Sequence, residues 1–361
     1  MANILLSPSA FRELVSGRRQ GAVAAATRAA LRLLEIPYTA AVSWRNRQFD
    51  RGRRPIDSVG VPVLSVGNIT LGGTGKTPAV EWLANWFAAH GVRVGLVSRG
   101  YGARPGVAND EALELAQKLP GVPHVLDANR VRGATKAIQE FGCQLVLLDD
   151  GFQHRRLHRD LDIVLVDASE PFGFGHVFPR GTLREPLSGW SRAGVIVLTR
   201  AELLGADERV QLRNQILRYA PRALWVEATH APRALVSPTG EQLPFGHLAG
   251  QKIAAFCGIG NPAGFWHSLA GCGYRLAAKQ EFADHHAYSP ADIESLASWS
   301  GGLDVAAVVC TGKDLVKIGG RWPGARPLFA LSSQMQILAG KAEFEAVLMP
   351  LVRRARGEKD S

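Results

Sequence analysis

The 361-residue sequence predicts an α/β fold: a doubly wound, mostly parallel sheet, a smaller second α/β lobe and an N-terminal amphipathic helical segment. Three observations lead to this prediction. Short apolar runs alternate with helix-competent stretches after Pro55, which is the pattern of a parallel sheet. A second series of the same kind begins near residue 250. The first 55 residues follow a different pattern, rich in Ala, Leu and Arg.

The apolar runs of the first lobe are its candidate strands. They are rich in Val, Leu and Ile and are bounded by Gly, Asp or Arg, as expected of parallel strands buried on both faces. The strands are predicted at 62–68, 92–98, 144–150, 162–168 and 194–200, with helices at 76–90, about 110–118, about 130–141 and about 202–219. Strands and helices that alternate in this order predict helices on both faces of the sheet.

The same pattern predicts the domain boundaries. We expect a basic amphipathic segment over residues 1–55 and the core with the first sheet over residues 56–222. A β-rich connector over 223–250 leads into a C-terminal α/β lobe over 251–361. In that lobe the strand-like runs "KIAAFC", "YRLAAKQEF" and "VAAVVC" are separated by predicted helices.

Composition limits the compartment and the partners. A hydrophobic content of 46% and a charged content of 20% are ordinary values for a globular protein. The four cysteines are widely spaced and form no C-x-x-C pair, which predicts reduced, buried thiols in a cytosolic protein rather than a metal site. The net charge of +10 predicts a polyanionic partner: nucleic acid, anionic lipid or a phosphorylated substrate.

The positive charge is concentrated near the N-terminus, where residues 1–60 contain ten Arg and four acidic residues. No apolar run there reaches the ~18–20 residues that a spanning helix needs, and Arg28, Arg32 and Glu35 interrupt the apolar core that a signal peptide needs. An amphipathic helix on an anionic membrane surface, with Trp44 near its end, fits this pattern. A soluble helical hairpin with solvated arginines fits it equally well. Nucleic acid is not expected, because aromatic stacking residues do not line the arginine cluster.

The stretch "LSVGNITLGGTGKTP" places a glycine cluster between a predicted strand and a predicted helix. This is the context of a phosphate-binding loop, so the fold is expected to be P-loop NTPase-like. Backbone N–H groups of the glycines and the start of the helix would face the phosphates. Lys76 would reach the β- and γ-phosphates, and Thr77 would place its hydroxyl on Mg²⁺. Thr70 stands where the pattern has its first glycine, although Gly72 and Gly73 partly restore the backbone freedom.

Two adjacent carboxylates complete this candidate site. Asp149 and Asp150 stand at the end of the predicted strand "QLVLLDD", and the carboxyl end of a parallel strand faces the ligand crevice. Paired aspartates there suit Mg²⁺, held directly or through water. The combination predicts an NTP-dependent enzyme or a P-loop switch protein, such as a metallochaperone-type GTPase or a partitioning ATPase. It does not identify the phosphate acceptor.

Several motifs occur together along the chain. They are "SVGNITLGGTGKTP", "SRGYG", "LDDGFQHRRLHRDLDIVLVDA", "PRGTLREP", "AFCGIGNP", "FADHHAY" and "TGKDLVK", in this order. The series resembles the tetraacyldisaccharide 4'-kinases, the lipid A 4'-kinases of Gram-negative bacteria, over nearly the whole chain. "DDGFQH" and "RGxLREP" are the most specific of these motifs, since a generic P-loop protein does not need them.

The resemblance implies transfer of the ATP γ-phosphate to the 4'-hydroxyl of a tetraacylated glucosamine disaccharide 1-phosphate, with Mg²⁺, in lipid A biosynthesis. It implies a peripheral protein on the cytoplasmic face of the bacterial inner membrane, attached to the anionic surface by its N-terminal region. This favours the surface-helix interpretation of the basic segment. The ATP-binding residues are then Gly72, Gly73, Thr74, Gly75, Lys76 and Thr77, and the metal ligands are Thr77, Asp149 and Asp150.

The resemblance also implies catalytic residues. Lys76 belongs to the phosphate loop, and the family's catalytic aspartate falls in a "GDEP"-like motif that matches "NDEA" here. Asp110 is therefore the candidate base, although Asn109 and Ala112 replace the flanking Gly and Pro. The histidine partner falls in "DHH", where His285 is favoured over His286. A base is needed because a sugar hydroxyl has a high pKa.

Four further residues are candidates for contact with the substrate. Arg184 and Glu185 of "GTLREP" either position the substrate, for which Arg suits a phosphate, or form a structural ion pair. Gln153 and His154 follow the metal aspartates closely enough to reach metal-bound water or the sugar. "TGKD" (311–314) lies at a strand end in the second lobe, where it either contacts the nucleotide base or has a structural role.

Overall fold

The computed structural model describes residues 8–100, 110–260, 262–284 and 286–358. The chain forms two compact units. The first unit comprises Met1–Ala108, Lys118–His230 and Met335–Ser361, and the second comprises Asn109–Gln117 and Ala231–Gln334. The segment around Asp110 therefore groups with the second unit rather than with the phosphate loop.

The elements of the N-terminal two-thirds of the chain follow the predicted alternation. They are α1 (Pro8–Val15), α2 (Ala22–Asp50), β1 (Val63–Gly67), α3 (Lys76–Ala89), β2 (Val94–Ser98), α4 (Asp110–Lys118), β3 (His124–Leu126), α5 (Arg130–Phe141), β4 (Leu145–Asp149), β5 (Leu161–Asp167), β6 (Val195–Thr199), α6 (Ala206–Leu217) and β7 (Leu224–Val236). All five strands predicted for the first lobe are present within one or two residues of their predicted bounds.

The elements after β7 form the rest of the second unit and the C-terminus. They are β8 (Gln242–Pro244), β9 (Lys252–Cys257), α7 (Pro262–Gly271), β10 (Arg275–Glu281), α8 (Pro290–Gly301), β11 (Ala307–Thr311), α9 (Gly312–Ile318), β12 (Leu328–Ala339) and α10 (Lys341–Ala355). The sequence patterns predicted neither β12 nor α10.

The sheet of the first unit has the strand order β3-β2-β4-β1-β5-β6-β7. Every neighbouring pair in it is parallel, so all these strands end at the same edge. β1 lies between β4 and β5, and its next strand along the chain, β2, lies beyond β4. The phosphate loop that follows β1 and the aspartates that follow β4 are therefore neighbours at the carboxyl edge, where α/β sheets bind ligands. The predicted fold class is confirmed.

The core of the first unit lies against both faces of this sheet. One cluster contains Phe152, Trp190 and Leu198, and a second contains Val97, Ala134 and Leu148. Phe152 follows the paired aspartates and packs so closely on β1 that a Cβ at Gly67 would lie 2.7 Å from the Phe152 Cβ. The glycine at the end of β1 therefore permits close approach of the "DDGF" turn.

The sheet of the second unit contains β10, β9, β11 and β12 in this order, all parallel. β8 pairs antiparallel with Ala234–Val236 at the end of β7. The core includes Phe256, Leu296 and Val308. All four cysteines of the chain are free and buried, as predicted.

The N-terminal segment is helical. α2 is 29 residues long and contains Pro37. None of the described helices is long and apolar enough to cross a membrane. Large apolar side chains of α2 are nonetheless exposed, including Leu33 at 70% and Trp44 at 58%.

Candidate active site

The phosphate loop joins β1 to α3 at the carboxyl edge of the sheet. Gly72 and Gly75 have φ angles of 118° and 84°, a region that favours glycine because a Cβ would clash with the backbone. Gly75 is the N-cap of α3, and no side chain caps this helix. The positive end of the α3 dipole therefore faces the loop, as in anion-binding sites.

Thr70, the residue that departs from the glycine pattern, lies just before this turn. Its backbone forms an antiparallel bridge with Leu183, and the flanking N–H groups of Leu71 and Arg184 donate to Thr182 O and Ile69 O, each at 2.6 Å. The Asn68 amide donates to Thr70 O at 2.8 Å. Because Thr70 pairs like a strand residue, its position does not require a positive φ, and a β-branched side chain is accommodated.

Lys76, Asp150 and Arg184 form the charged centre of the site. Lys76 Nζ lies 3.6 Å from Asp150 Oδ1, and Arg184 Nη1 donates to both carboxylate oxygens of Asp150 at 2.9 and 2.8 Å. Burial disfavours the charged form of Asp150, but Lys76 and Arg184 together outweigh it, so the pKa of this carboxyl is below its usual value. Asp150 is thus an anion between two cations.

The predicted metal ligands have the donor chemistry that Mg²⁺ requires. Asp149 is the last residue of β4 and is buried, and Asp150 follows it with a φ of 53°. The described part of the chain contains no group of three or more His, Cys, Asp or Glu side chains that could hold a metal ion. Two carboxylates and the Thr77 hydroxyl nonetheless fit Mg²⁺, which is usually bound by one or two carboxylates together with water and phosphate oxygens.

The structure brings Gln153 and Glu185 next to this centre. The Gln153 amide donates to Asn68 O at 2.9 Å and to Glu185 Oε1 at 3.0 Å. Glu185 is 1% exposed and accepts from Arg192 Nη2 at 2.9 Å and from the Asn46 amide of α2 at 2.8 Å. The alternative of a structural ion pair therefore holds for Glu185, although its partner is Arg192 and not Arg184.

His154 lies in the same turn as Gln153. Burial first, and then the charges of neighbouring arginines including Arg130, lower the pKa of His154 to about 4. The ring is therefore neutral at physiological pH and can accept or donate a hydrogen bond without carrying charge.

The predicted catalytic pair is only partly visible. Asp110 is the first residue of α4, but its side chain lies outside the described residues, as does His285. Their roles as base and partner stay predictions. His286, the histidine not favoured, has its Nε2 3.2 Å from Asp292 Oδ2 and its ring 5.0 Å from the Tyr288 ring centroid.

The Asp314 carboxylate of "TGKD" is enclosed by hydrogen-bond donors of the second unit. Asp314 is 0% exposed, and it accepts hydrogen bonds from Gly258 N at 3.1 Å, Tyr288 Oη at 3.0 Å and Thr311 Oγ1 at 2.6 Å. Two donors from other segments of the second unit and one from the same turn thus surround this carboxylate. Burial raises the pKa of Asp314.

Four residues near the loop and its aspartates were missed by sequence analysis. Arg130, 3% exposed at the start of α5, experiences the charges of Asp150 and Asp149, while burial lowers its pKa. Thr199 and Arg200, at the end of β6, and His230, in β7, lie against the loop. The signal that could have found Thr199 and Arg200 is their place at the carboxyl end of a predicted strand, where "LTR" follows the apolar run.

A glycine-rich loop between a buried parallel strand and a helix, with its lysine beside an aspartate from a neighbouring strand, defines the class of P-loop-like nucleotide-dependent α/β proteins. Within this class, the family model described as tetraacyldisaccharide-1-P 4'-kinase matches residues 27–353. The chain belongs to this family. Membership identifies it as a kinase, so the alternative of a P-loop switch or metallochaperone-type protein is wrong.

Individual relatives agree with the family model. The chain is 37% identical over 349 residues to a tetraacyldisaccharide 4'-kinase of Anaeromyxobacter sp. (strain K), covering 91% of this chain and 92% of the relative. It is 34% identical to the Geobacter sulfurreducens protein of the same name, covering 94% and 97%. The crystal structure of LpxK from Aquifex aeolicus in complex with ATP has a TM-score of 0.73 and 27% identity, covering 90% of this chain and 99% of that chain.

Proposed function

We propose that the chain transfers the γ-phosphate of ATP to the 4'-hydroxyl of a tetraacylated glucosamine disaccharide 1-phosphate. The observation that carries this proposal is the contact of Lys76 and Arg184 with Asp150 beside the phosphate loop. A lysine at the start of α3 and an arginine beside the same carboxylate suit the charge of a triphosphate and of a transferring phosphoryl group. The relatives' names support the acceptor, and the ATP complex of LpxK supports the donor.

The residues of the loop and of β4 would bind different parts of the Mg²⁺–nucleotide complex. Backbone N–H groups of Gly72 to Gly75 would hold the phosphates, and Lys76 would stabilise charge on the β- and γ-phosphates. Thr77, Asp149 and Asp150 would hold Mg²⁺, which neutralises phosphate oxygens when it is bound. Arg184 would keep Asp150 oriented toward the metal through its two hydrogen bonds to that carboxylate.

The acceptor requires a base and a binding surface. Asp110 would take the proton of the 4'-hydroxyl as it attacks the γ-phosphate, and His285 would orient and polarise Asp110. Gln153 and His154 would contact the sugar, and Glu185, paired with Arg192, would hold the Gln153 amide in place. The neutral His154 ring and the Gln153 amide offer hydrogen bonds to hydroxyl groups, which are the groups that a disaccharide presents.

Helix α2 would attach the enzyme to the cytoplasmic face of the inner membrane. At 100° per residue, the exposed apolar residues of α2 span an arc of about 200°, and Glu35 and Asn46 lie in the remaining arc; these apolar residues are Val23, Leu33, Leu34, Ile36, Tyr38 and Trp44. The apolar residues are 37–79% exposed, and Glu35 and Asn46 contact the first unit through Val177 N and Glu185. An exposed apolar arc on an arginine-rich helix fits an anionic lipid surface.

The test is transfer of labelled γ-phosphate from ATP to a lipid disaccharide monophosphate in detergent micelles. We expect transfer by the wild type, dependent on Mg²⁺, and a loss of about 100-fold or more in Asp110→Asn. Asp207→Asn, an exposed aspartate in the first turn of α6, is the matched control. A wild type that does not phosphorylate the lipid would refute the proposed function, whereas full activity of Asp110→Asn would refute only the assignment of the base.

A further inference from the structure

One side of the phosphate loop, here called its underside, is hydrogen-bonded to Thr199 and Arg200 at the end of β6. Thr199 Oγ1 donates to Thr74 O at 3.0 Å, and Arg200 Nη2 donates to Gly73 O at 3.3 Å. Thr199 is 0% exposed, and its hydroxyl is also 3.3 Å from Val166 O of β5. Two successive carbonyl groups of the loop are therefore bound by two successive side chains of one strand end.

These two contacts determine which way the neighbouring N–H groups point. In a trans peptide the C=O and the N–H of the same plane point in opposite directions. The plane that carries Gly73 O also carries Thr74 N–H, and the plane that carries Thr74 O also carries Gly75 N–H. When both carbonyls are held toward β6, both N–H groups point to the other side of the loop. Successive N–H groups with a common direction form an anion-binding concavity.

The guanidinium of Arg200 is itself held in place. Arg200 has a φ of 55°, a conformation that is rare for non-glycine residues and clusters at functional sites. Its side chain forms an ion pair with Asp167 at the end of β5. On the same underside, the His230 ring lies so close to Gly75 that a Cβ there would clash with Nε2. The loop is thus supported at Gly73, Thr74 and Gly75 by residues distant in sequence.

We propose that Thr199 and Arg200 are positioning residues for nucleotide binding: they orient the Gly73 and Thr74 peptides so that the N–H groups of Thr74 and Gly75 face the phosphates. This inference rests on the proposed function only in taking ATP as the nucleotide. Neither residue needs to touch the nucleotide, because each acts through a backbone carbonyl. The side chains preorganise the loop, so that binding does not have to reorient its peptides.

The test measures ATP binding by calorimetry in the presence of Mg²⁺ and without lipid acceptor. Thr199→Val keeps the shape of the side chain and removes the donor, and we expect a roughly five- to tenfold loss of ATP affinity. Thr199→Ser retains the hydroxyl and should bind within about twofold of the wild type. Arg200→Met retains the aliphatic stem, loses the donors and should resemble Thr199→Val. In kinetics, the KM for ATP should rise more than the KM for the lipid.

Thr135→Val is the matched control, because this threonine also donates to a backbone carbonyl, Val131 O at 3.0 Å, but within α5. It should leave ATP affinity unchanged. Wild-type ATP affinity in a folded Thr199→Val protein would overturn the inference, as would equal losses in Thr199→Val and Thr199→Ser. If Thr199→Val does not fold, the Arg200→Met variant serves as the test. Unchanged ATP affinity of the Arg200→Met protein would then overturn the inference. Failure of lipid phosphorylation by a wild type that binds ATP would refute the proposed function and leave this result intact.

Discussion

Arg184 Nη1 lies 2.9 and 2.8 Å from the two carboxylate oxygens of Asp150, while Lys76 Nζ approaches the same carboxylate at 3.6 Å. This arrangement links the phosphate loop, the end of β4 and the "LREP" segment through one anion. A nucleoside triphosphate would add negative charge at this point, and its phosphates would compete with Asp150 for Lys76 and Arg184.

Asp150→Asn removes the anion between the two cations. We expect Mg²⁺-dependent phosphoryl transfer to fall by about 100-fold or more, because the change removes a proposed metal ligand and alters the charge beside Lys76 and Arg184. ATP without Mg²⁺ should bind at least as tightly as to the wild type, since Lys76 and Arg184 then lack a competing carboxylate. Kinetics and calorimetry measure the two effects.

Asp57→Asn is the control for Asp150→Asn, because Asp57 pairs with Arg156 at 3.0 Å on the surface. It should leave both kinetics and ATP binding unchanged. Full Mg²⁺-dependent transfer by Asp150→Asn would contradict the assigned role of this carboxylate.

Gly75→Ala should destabilise the conformation of the phosphate loop. Alanine in the left-handed region costs roughly 1–2 kcal/mol, and its Cβ would clash with His230 Nε2. We expect a lower melting temperature and weaker ATP binding, with part of the loss in melting temperature recovered in the double variant Gly75→Ala/His230→Ala. Gly60→Ala, where a Cβ meets nothing within 4 Å, is the control. A fully stable Gly75→Ala protein would show that the loop does not hold this conformation in solution.

Half-buried His124 predicts a dependence of stability on pH. Burial lowers its pKa to about 4, whereas an unfolded histidine titrates near 6.5. Between these values the unfolded chain binds a proton that the folded chain does not, so the free energy of unfolding falls as pH decreases from 6.5 to 4. The contribution of His124 approaches about 1.4 kcal/mol per pH unit in this window. Denaturant unfolding at several pH values gives the free energy of unfolding as a function of pH. Between pH 6.5 and 4 this free energy should change less steeply with pH in His124→Gln than in the wild type. Equal pH dependence in both proteins would contradict a neutral His124.

The exposed arc of α2 predicts binding to membranes. In the double variant Leu33→Ser/Leu34→Ser, affinity for anionic phospholipid vesicles should fall by roughly tenfold or more, since a fully buried leucine contributes about 1.5–3 kcal/mol. The melting temperature should stay nearly constant, because both leucines are already exposed, at 70% and 57%. Vesicle co-sedimentation measures the binding. Leu203→Ser/Val210→Ser changes exposed apolar residues outside α2 and should have no effect; equal losses in both double variants would refute the α2 surface.

Tyr288→Phe tests the structural role of "TGKD". The change removes one of the three hydrogen bonds to Asp314, so we expect the free energy of unfolding to fall by about 1–2 kcal/mol. The KM for ATP should be unchanged if Asp314 serves the second unit alone. A large rise in that KM without loss of stability would instead support contact between this region and the base.

The sequence by itself determined the elements and the chemistry that each strand end carries. Apolar runs of five to seven residues predicted β1, β2, β4, β5 and β6, because a strand buried on both faces must be apolar along its length. Local patterns likewise predicted the phosphate loop and the paired aspartates. β12 was missed, since its sequence includes a run of polar residues, "SSQ", and its burial follows neither a continuous nor a strictly alternating pattern.

Only the tertiary structure decided which of these groups meet. Arg184 contacts Asp150 across 34 positions of sequence, and Thr199 contacts Thr74 across 125. Such contacts depend on the order of strands in the sheet and on the path of the loops between them, which periodicity does not encode. The same reason explains Thr70, whose bridge to Leu183 makes a glycine unnecessary. It also explains Asp314, which accepts from the distant Gly258 N and Tyr288 Oη.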